Sequence, residues 1–259
     1  MTTDTFQESA EKKSIRDMLS DAASLLGRAN LTYLGLPGHR ASDILALRAY
    51  LESAICVDRD KKVLDACSAS IAGIPLKKTR YVTGDMWDYL NDKYRSEPLV
   101  ADVTFLDFCG GGINSPTPFA HELGAIRTYF AKQAKHPNKA FMLAWTYMPH
   151  DTGASKYQRA LERVLQPADL KLLASVKGTA YRSMAVRCFL KQCLLEHDMS
   201  AKLYHHALYK KTMNTIILIY GRGTDASAKI TLGLPDDIMS AFVARYDGKS
   251  LIPELISLQ

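Results

Sequence analysis

Between Leu31 and Asp58 the chain changes its hydrophobic period twice. Leu31 to Leu34 is a short apolar, β-favouring run that breaks at Gly35 and Gly38; Ile44, Leu45, Leu47 and Leu51 recur at helical spacing; Ala54 to Val57 is again continuously apolar and ends on Asp58. The pattern predicts a strand, a tight turn, a helix and a second strand. Upstream, Ile15, Met18, Leu19, Ala22, Leu25 and Leu26 predict a helix that stops over Gly27 to Asn30.

The same alternation continues downstream. Val63, Leu64, Cys67 and Ile71 mark a helix over Lys61 to Ala72, and Thr79 to Thr83 reads as a third strand closing on Gly84-Asp85-Met86. A short helix from Trp87 to Tyr94 leads to a fourth strand, Asp102 to Leu106, followed by Asp107-Phe108-Cys109-Gly110. A helix over Pro118 to Lys135 precedes Ala140 to Trp145, a wholly apolar fifth strand of the kind covered on both faces. Helices are expected over Lys156 to Leu165, over Tyr181 to His197 as an insertion or substrate-side element, and over Asp236 to Tyr246 in the tail. Ala201 to Tyr209 and Thr215 to Tyr220 are close enough for an antiparallel hairpin. The fold class is therefore α/β, a Rossmann-like, doubly wound, mostly parallel seven-stranded sheet with an antiparallel C-terminal hairpin. Residues 1–30 form a helical lead-in, 31–223 the α/β domain with a helical insertion around 166–198, and 224–259 an extension packed on it.

Composition narrows the function classes. At 259 residues and 47% hydrophobic content the chain supports one large core. No run of eighteen apolar residues occurs, and the first thirty residues lack the plan of a signal peptide, which leads us to expect a soluble, cytoplasmic protein. Five cysteines without a C-x-x-C pair suggest free thiols. Adjacent strand residues point to opposite faces, so His205 and His206 do not share one metal, and no metal is expected. The net charge of +6 is concentrated: Ala154 to Gly223 carries 12 basic against 4 acidic residues. Such a segment suggests a polyanionic partner, chiefly nucleic acid, DNA and RNA being equally open. Arg182 and Arg187 on the late helix, with Lys210 and Lys211 at the hairpin tip, are the candidate phosphate contacts. The alternative for this charge is an ordinary solvated face.

Three successive strands end on an acid, at Asp58, Asp85 and Asp107. In a parallel sheet those ends converge on one crevice, beside the glycine turn of the first strand. This arrangement resembles the class I S-adenosylmethionine-dependent methyltransferases, over roughly Ser14 to Gly223. The resemblance implies S-adenosylmethionine as cofactor. It places the turn Gly35-Leu36-Pro37-Gly38 against the methionine part, Asp58 and Arg59 at the ribose, Asp85 and Met86 at the adenine, and Asp107, Phe108 and Cys109 at the site of methyl transfer. The expected activity is methyl transfer, with nucleic acid as the acceptor.

The turn departs from the family pattern, acid-x-Gly-x-Gly-x-Gly, in having no acid before it and one glycine fewer, while Pro37 removes a backbone donor. A second reading is therefore a catalytically inactive methyltransferase-like binding or assembly module. A third, a nicotinamide dehydrogenase, lacks its Gly-x-Gly-x-x-Gly turn. Cys109 suits either a thiolate nucleophile for methylation at carbon five of cytosine or a small buried residue beside a glycine turn.

Overall fold

The computed structural model describes residues 10–91, 99, 101–107, 118–136, 140–147, 162–174, 178–209, 213–222, 242–246 and 251–255. An initial helix, α1 (Ala10–Ser24), precedes β1 (Leu31–Gly35), α2 (Ser42–Leu47), β2 (Leu51–Asp58), α3 (Lys61–Ile71), β3 (Lys78–Thr83), α4 (Met86–Leu90), β4 (Val103–Asp107), α5 (Pro118–Gln133) and β5 (Ala140–Tyr147). Two further helices, α6 (Pro167–Leu173) and α7 (Gly178–Leu195), lead to β6 (Met199–Tyr209) and β7 (Met213–Arg222), and β8 (Phe242–Tyr246) and β9 (Leu251–Leu255) follow.

The nine strands of the described residues form one sheet in the order β3-β2-β1-β4-β5-β7-β6-β8-β9. From β3 to β5 the pairing is parallel, and β7 lies antiparallel between β5 and β6. Period-two alternation divides the core. Leu34, Leu106, Leu143, Trp145, Ile216 and Leu218 face α4, α5 and α7, whereas Leu31, Tyr33, Phe105, Met142, Ala144 and Ile217 face α1, α2 and α3. β1, β4 and β5 bury both faces, which is why they read as continuous apolar runs.

Three expectations change. Leu51 does not extend α2: the helix stops at Leu47, Tyr50 closes a turn back onto the Leu47 carbonyl, and Leu51 opens β2 opposite Leu31. α7 is no insertion, since Met184, Val186, Phe189, Leu190 and Leu194 are buried in the same cluster as Ile216 and Leu218. It is a core helix on the crossover between β5 and β6. In the tail, the described part of the expected helix is the strand β8, which pairs parallel to β6 through Ala207 and Leu208 and extends the sheet. The helix expected over Lys156 to Leu165 falls mostly outside the described residues.

Candidate functional site

The sheet order puts the carboxyl ends of β3, β2, β1 and β4 side by side, and with them the three acids. Their connections are built from short polar turns. Asp58 Oδ1 accepts from the Asp60 amide at 2.8 Å, and Asp60 in turn caps α3 by accepting from the Lys62 amide at 2.8 Å. The Gly84 amide donates to the Asp58 carbonyl at 2.8 Å, which ties the end of β3 to that of β2. Asp85 caps α4, its Oδ1 accepting from the amides of Trp87 at 2.8 Å and Asp88 at 3.2 Å. Arg59 Nε donates to Asp85 Oδ2 at 2.8 Å, so the predicted ribose-side cation spans to the predicted adenine-side acid.

At the glycine turn the two glycines differ. Gly38 has φ +62°, a backbone conformation that disfavours side chains. Gly35 is needed for space: a Cβ there would overlap the ring and hydroxyl of Tyr33, two residues back on the same face of β1, and the Phe105 carbonyl. Leu36 is half-buried against the core, and Met86 is buried within it. Asp107, half-buried at the end of β4, lies 3.2 Å from Lys12 Nζ of α1. Phe108, Cys109, Lys210 and Lys211 lie outside the described residues. Arg182 is on α7, and so is Arg187. Arg187 is 0% exposed, its charge disfavoured by burial, and a solvent-borne phosphate does not reach it there.

The carboxyl ends also gather residues that sequence patterns did not single out. Asp43, 4% exposed in the first turn of α2, accepts from Arg16 Nε at 2.7 Å. Burial pushes its carboxyl up to about 6, against the pull of Arg16. Glu122, 6% exposed on α5, is pushed up to about 8 by burial and by the charge of Asp85. Both are acids inside otherwise ordinary helical patterns; the signal that marks them is polarity at a position packed against the sheet. Among the described residues Cys56, Cys67, Cys188 and Cys193 are buried free thiols. Cys56 Sγ and Cys67 Sγ are 3.9 Å apart.

In fold, the chain resembles the class I S-adenosylmethionine-dependent methyltransferases. The likeness lies in the strand order β3-β2-β1-β4-β5-β7-β6 and in the antiparallel β7. No protein-family model matches the chain, and no curated protein matches it in sequence. Among solved structures it is similar to the O-methyltransferase TomG from Streptomyces achromogenes in complex with SAM, at 15% identity and a TM-score of 0.47, over 85% of this chain and 83% of that one. It is also similar to the O-methyltransferase from Bacillus cereus in complex with SAH, at 13% identity and a TM-score of 0.48, over 84% of each chain. Below a TM-score of 0.5 neither likeness assigns a ligand or a reaction to this chain. Among the described residues no helix is long and apolar enough to cross a membrane.

Proposed function

We propose that the chain is an S-adenosylmethionine-dependent methyltransferase whose cofactor lies across the carboxyl ends of β1 to β4. The observation that carries this reading is the convergence of Asp58, Asp85 and Asp107 with the Gly35 to Gly38 turn at one end of one parallel sheet. The residues fit the group. Asp58 offers a carboxylate at a strand end, where it can accept both ribose hydroxyls, and Gly38 removes the side chain where backbone meets ligand. When bound, the cofactor supplies a methyl group already activated on a sulfonium. The protein's part is to bring the acceptor into line with it, and positioning of that kind supplies much of a rate. Asp107 accepts a hydrogen bond from the acceptor's amine or hydroxyl.

Nucleic acid is the acceptor class that the charge distribution supports, through the 12 basic residues between Ala154 and Gly223. Arg182, Lys210 and Lys211 remain its candidate contacts, and Arg187 does not. Calorimetric titration of the full chain with S-adenosylmethionine tests the cofactor. Asp58→Ala should weaken binding by tenfold or more while the protein stays folded, because hydrogen bonds to a charged acceptor are worth about 1.5–3 kcal/mol each. Unchanged affinity in the folded variant refutes the placement. The inactive-module reading draws on the ion pairs that Lys12 and Arg59 make with Asp107 and Asp85. No heat at millimolar cofactor would favour it.

A further inference from the structure

Two thiols meet between β2 and α3, and nothing in the proposed methyl transfer uses them. Cys56 lies on β2, two residues before Asp58, and Cys67 belongs to the buried stripe of α3 with Leu64 and Ile71. Their sulfurs are 3.9 Å apart, and both side chains are fully enclosed. Closing that gap to the roughly 2.05 Å of a disulfide moves each sulfur by only about 0.9 Å. Such a bond ties strand to helix and encloses the turn at Asp58 within a ring. The pair is also chemically unequal. The hydrogen bond between the sulfurs pulls the Cys67 thiol below its usual range and pushes Cys56 up, with burial adding to that rise, so Cys67 is the one that ionises first.

A third group faces the same place. The Tyr33 hydroxyl lies over Gly35, Gly35 is the register partner of Cys56 on the neighbouring strand, and the phenol feels the charge of both sulfurs. It is completely buried and has no hydrogen-bond partner among the described residues. A buried donor left without a partner is costly, and a redox role is one reason a fold keeps it. Cys188 and Cys193 differ: they stand five positions apart on α7, not the three or four that bring helical side chains together, and burial raises both thiols to about 12.

We infer that Cys56 and Cys67 form a dithiol/disulfide couple oxidised by hydrogen peroxide, with the Tyr33 hydroxyl as the hydrogen-bond donor beside them. The Cys67 thiolate attacks one peroxide oxygen and the O–O bond breaks, leaving a sulfenic acid; the departing hydroxide, to which Tyr33 donates, takes up the proton that Cys67 released and leaves as water. The Cys56 sulfur then attacks Cys67 Sγ, the S–O bond breaks, and hydroxide carries off the Cys56 proton as a second water. Two thiols are oxidised and one peroxide is reduced to two waters. Peroxide is small, and α3 is a surface helix with Lys61, Lys62, Asp65 and Ser70 exposed, so a local opening of that one helix admits it.

The test treats the folded full chain with hydrogen peroxide, alkylates the remaining thiols in denaturant, and maps the tryptic peptides by mass. Arg59, Lys61 and Lys62 lie between the two cysteines, so the product is a pair of peptides joined through Cys56 and Cys67 and lighter by two hydrogens than the reduced pair. That species should be the main disulfide, disappear with dithiothreitol, and form about tenfold faster than Cys188 and Cys193 lose their thiols. Tyr33→Phe should slow its formation severalfold and leave its identity unchanged; an equal rate in the folded variant overturns the part given to the hydroxyl. In urea the preference for this pair should vanish, because it comes from the fold. Cys56 and Cys67 alkylated to the same extent as Cys188 and Cys193 in the folded chain, or a preference that persists in urea, overturns the inference. No arm of the test uses S-adenosylmethionine, so its failure leaves the cofactor reading untouched.

Discussion

Replacing Glu122 by Gln isolates the cost of one buried carboxyl. Glu122 is 6% exposed on α5, and the acid facing it, Asp85, caps α4. Around them, Arg59 pairs with Asp85, and His121 lies 3.5 Å from Asp88. Burial and the like charge of Asp85 raise the Glu122 carboxyl from 4.5 to about 8. The folded state therefore holds a proton that the unfolded chain has already released between these values. Stability should fall as pH rises from about 4.5 to about 8 and level off beyond, the reverse of the usual carboxylate. Each pH unit in that window is worth about 1.4 kcal/mol, so the ionised side chain costs the fold on the order of 4 kcal/mol at pH 9. Glutamine keeps the shape and carries no charge. Urea denaturation of parent and Glu122→Gln at pH 5, 7 and 9 should give midpoints close together at pH 5. The variant should lead by about 1.5–2 M at pH 9, taking a urea slope near 2–3 kcal/mol/M. Every other titrating group is common to both proteins and cancels in the difference. A midpoint difference that stays constant from pH 5 to pH 9 would refute the reasoning, because only an ionisation in the folded state makes the difference depend on pH.

Asp102→Ala should destabilise by about 3–5 kcal/mol, read by denaturant melts, because Asp102 accepts from Arg28 Nη2 at 2.7 Å and from the Thr32 amide at 2.8 Å while only 4% exposed. Gly35→Ala should lower the melting temperature, since the added methyl meets the Tyr33 ring and the Phe105 carbonyl, and Tyr33→Leu in the same chain should recover part of that loss in thermal melts. Alanine at Lys210 and Lys211 together should flatten the salt dependence of nucleic-acid binding by about one unit of log–log slope per lost phosphate contact in a filter-binding series.

The centre of the sheet was legible because β1, β4 and β5 are buried on both faces and so appear as uninterrupted apolar runs, within a residue or two of where the pattern puts them. The three acids were legible for a related reason, since a carboxylate directly after such a run has nowhere to sit but the strand end. What failed was local. Leu51 has the spacing of α2 and the pairing of β2, and pairing with Leu31 outweighs spacing in a helix of only six residues. In the tail, Phe242 to Tyr246 fits a helical period, yet pairing with β6 on one side and β9 on the other makes it a strand. The charge census misled at Arg187, because a sequence count does not separate a solvated cation from one enclosed between a helix and a sheet. The site residues that escaped notice, Lys12, Arg16, Tyr33, Asp43 and Glu122, share one property. Each belongs to an element whose period is explained by packing, so the residue spends its sequence signal on the helix or strand and shows its chemistry only where elements meet. The turn illustrates this from both sides: its missing acid is visible in sequence at once, whereas the carboxylate that stands beside it arrives on α2, held by an arginine 27 positions earlier in the chain.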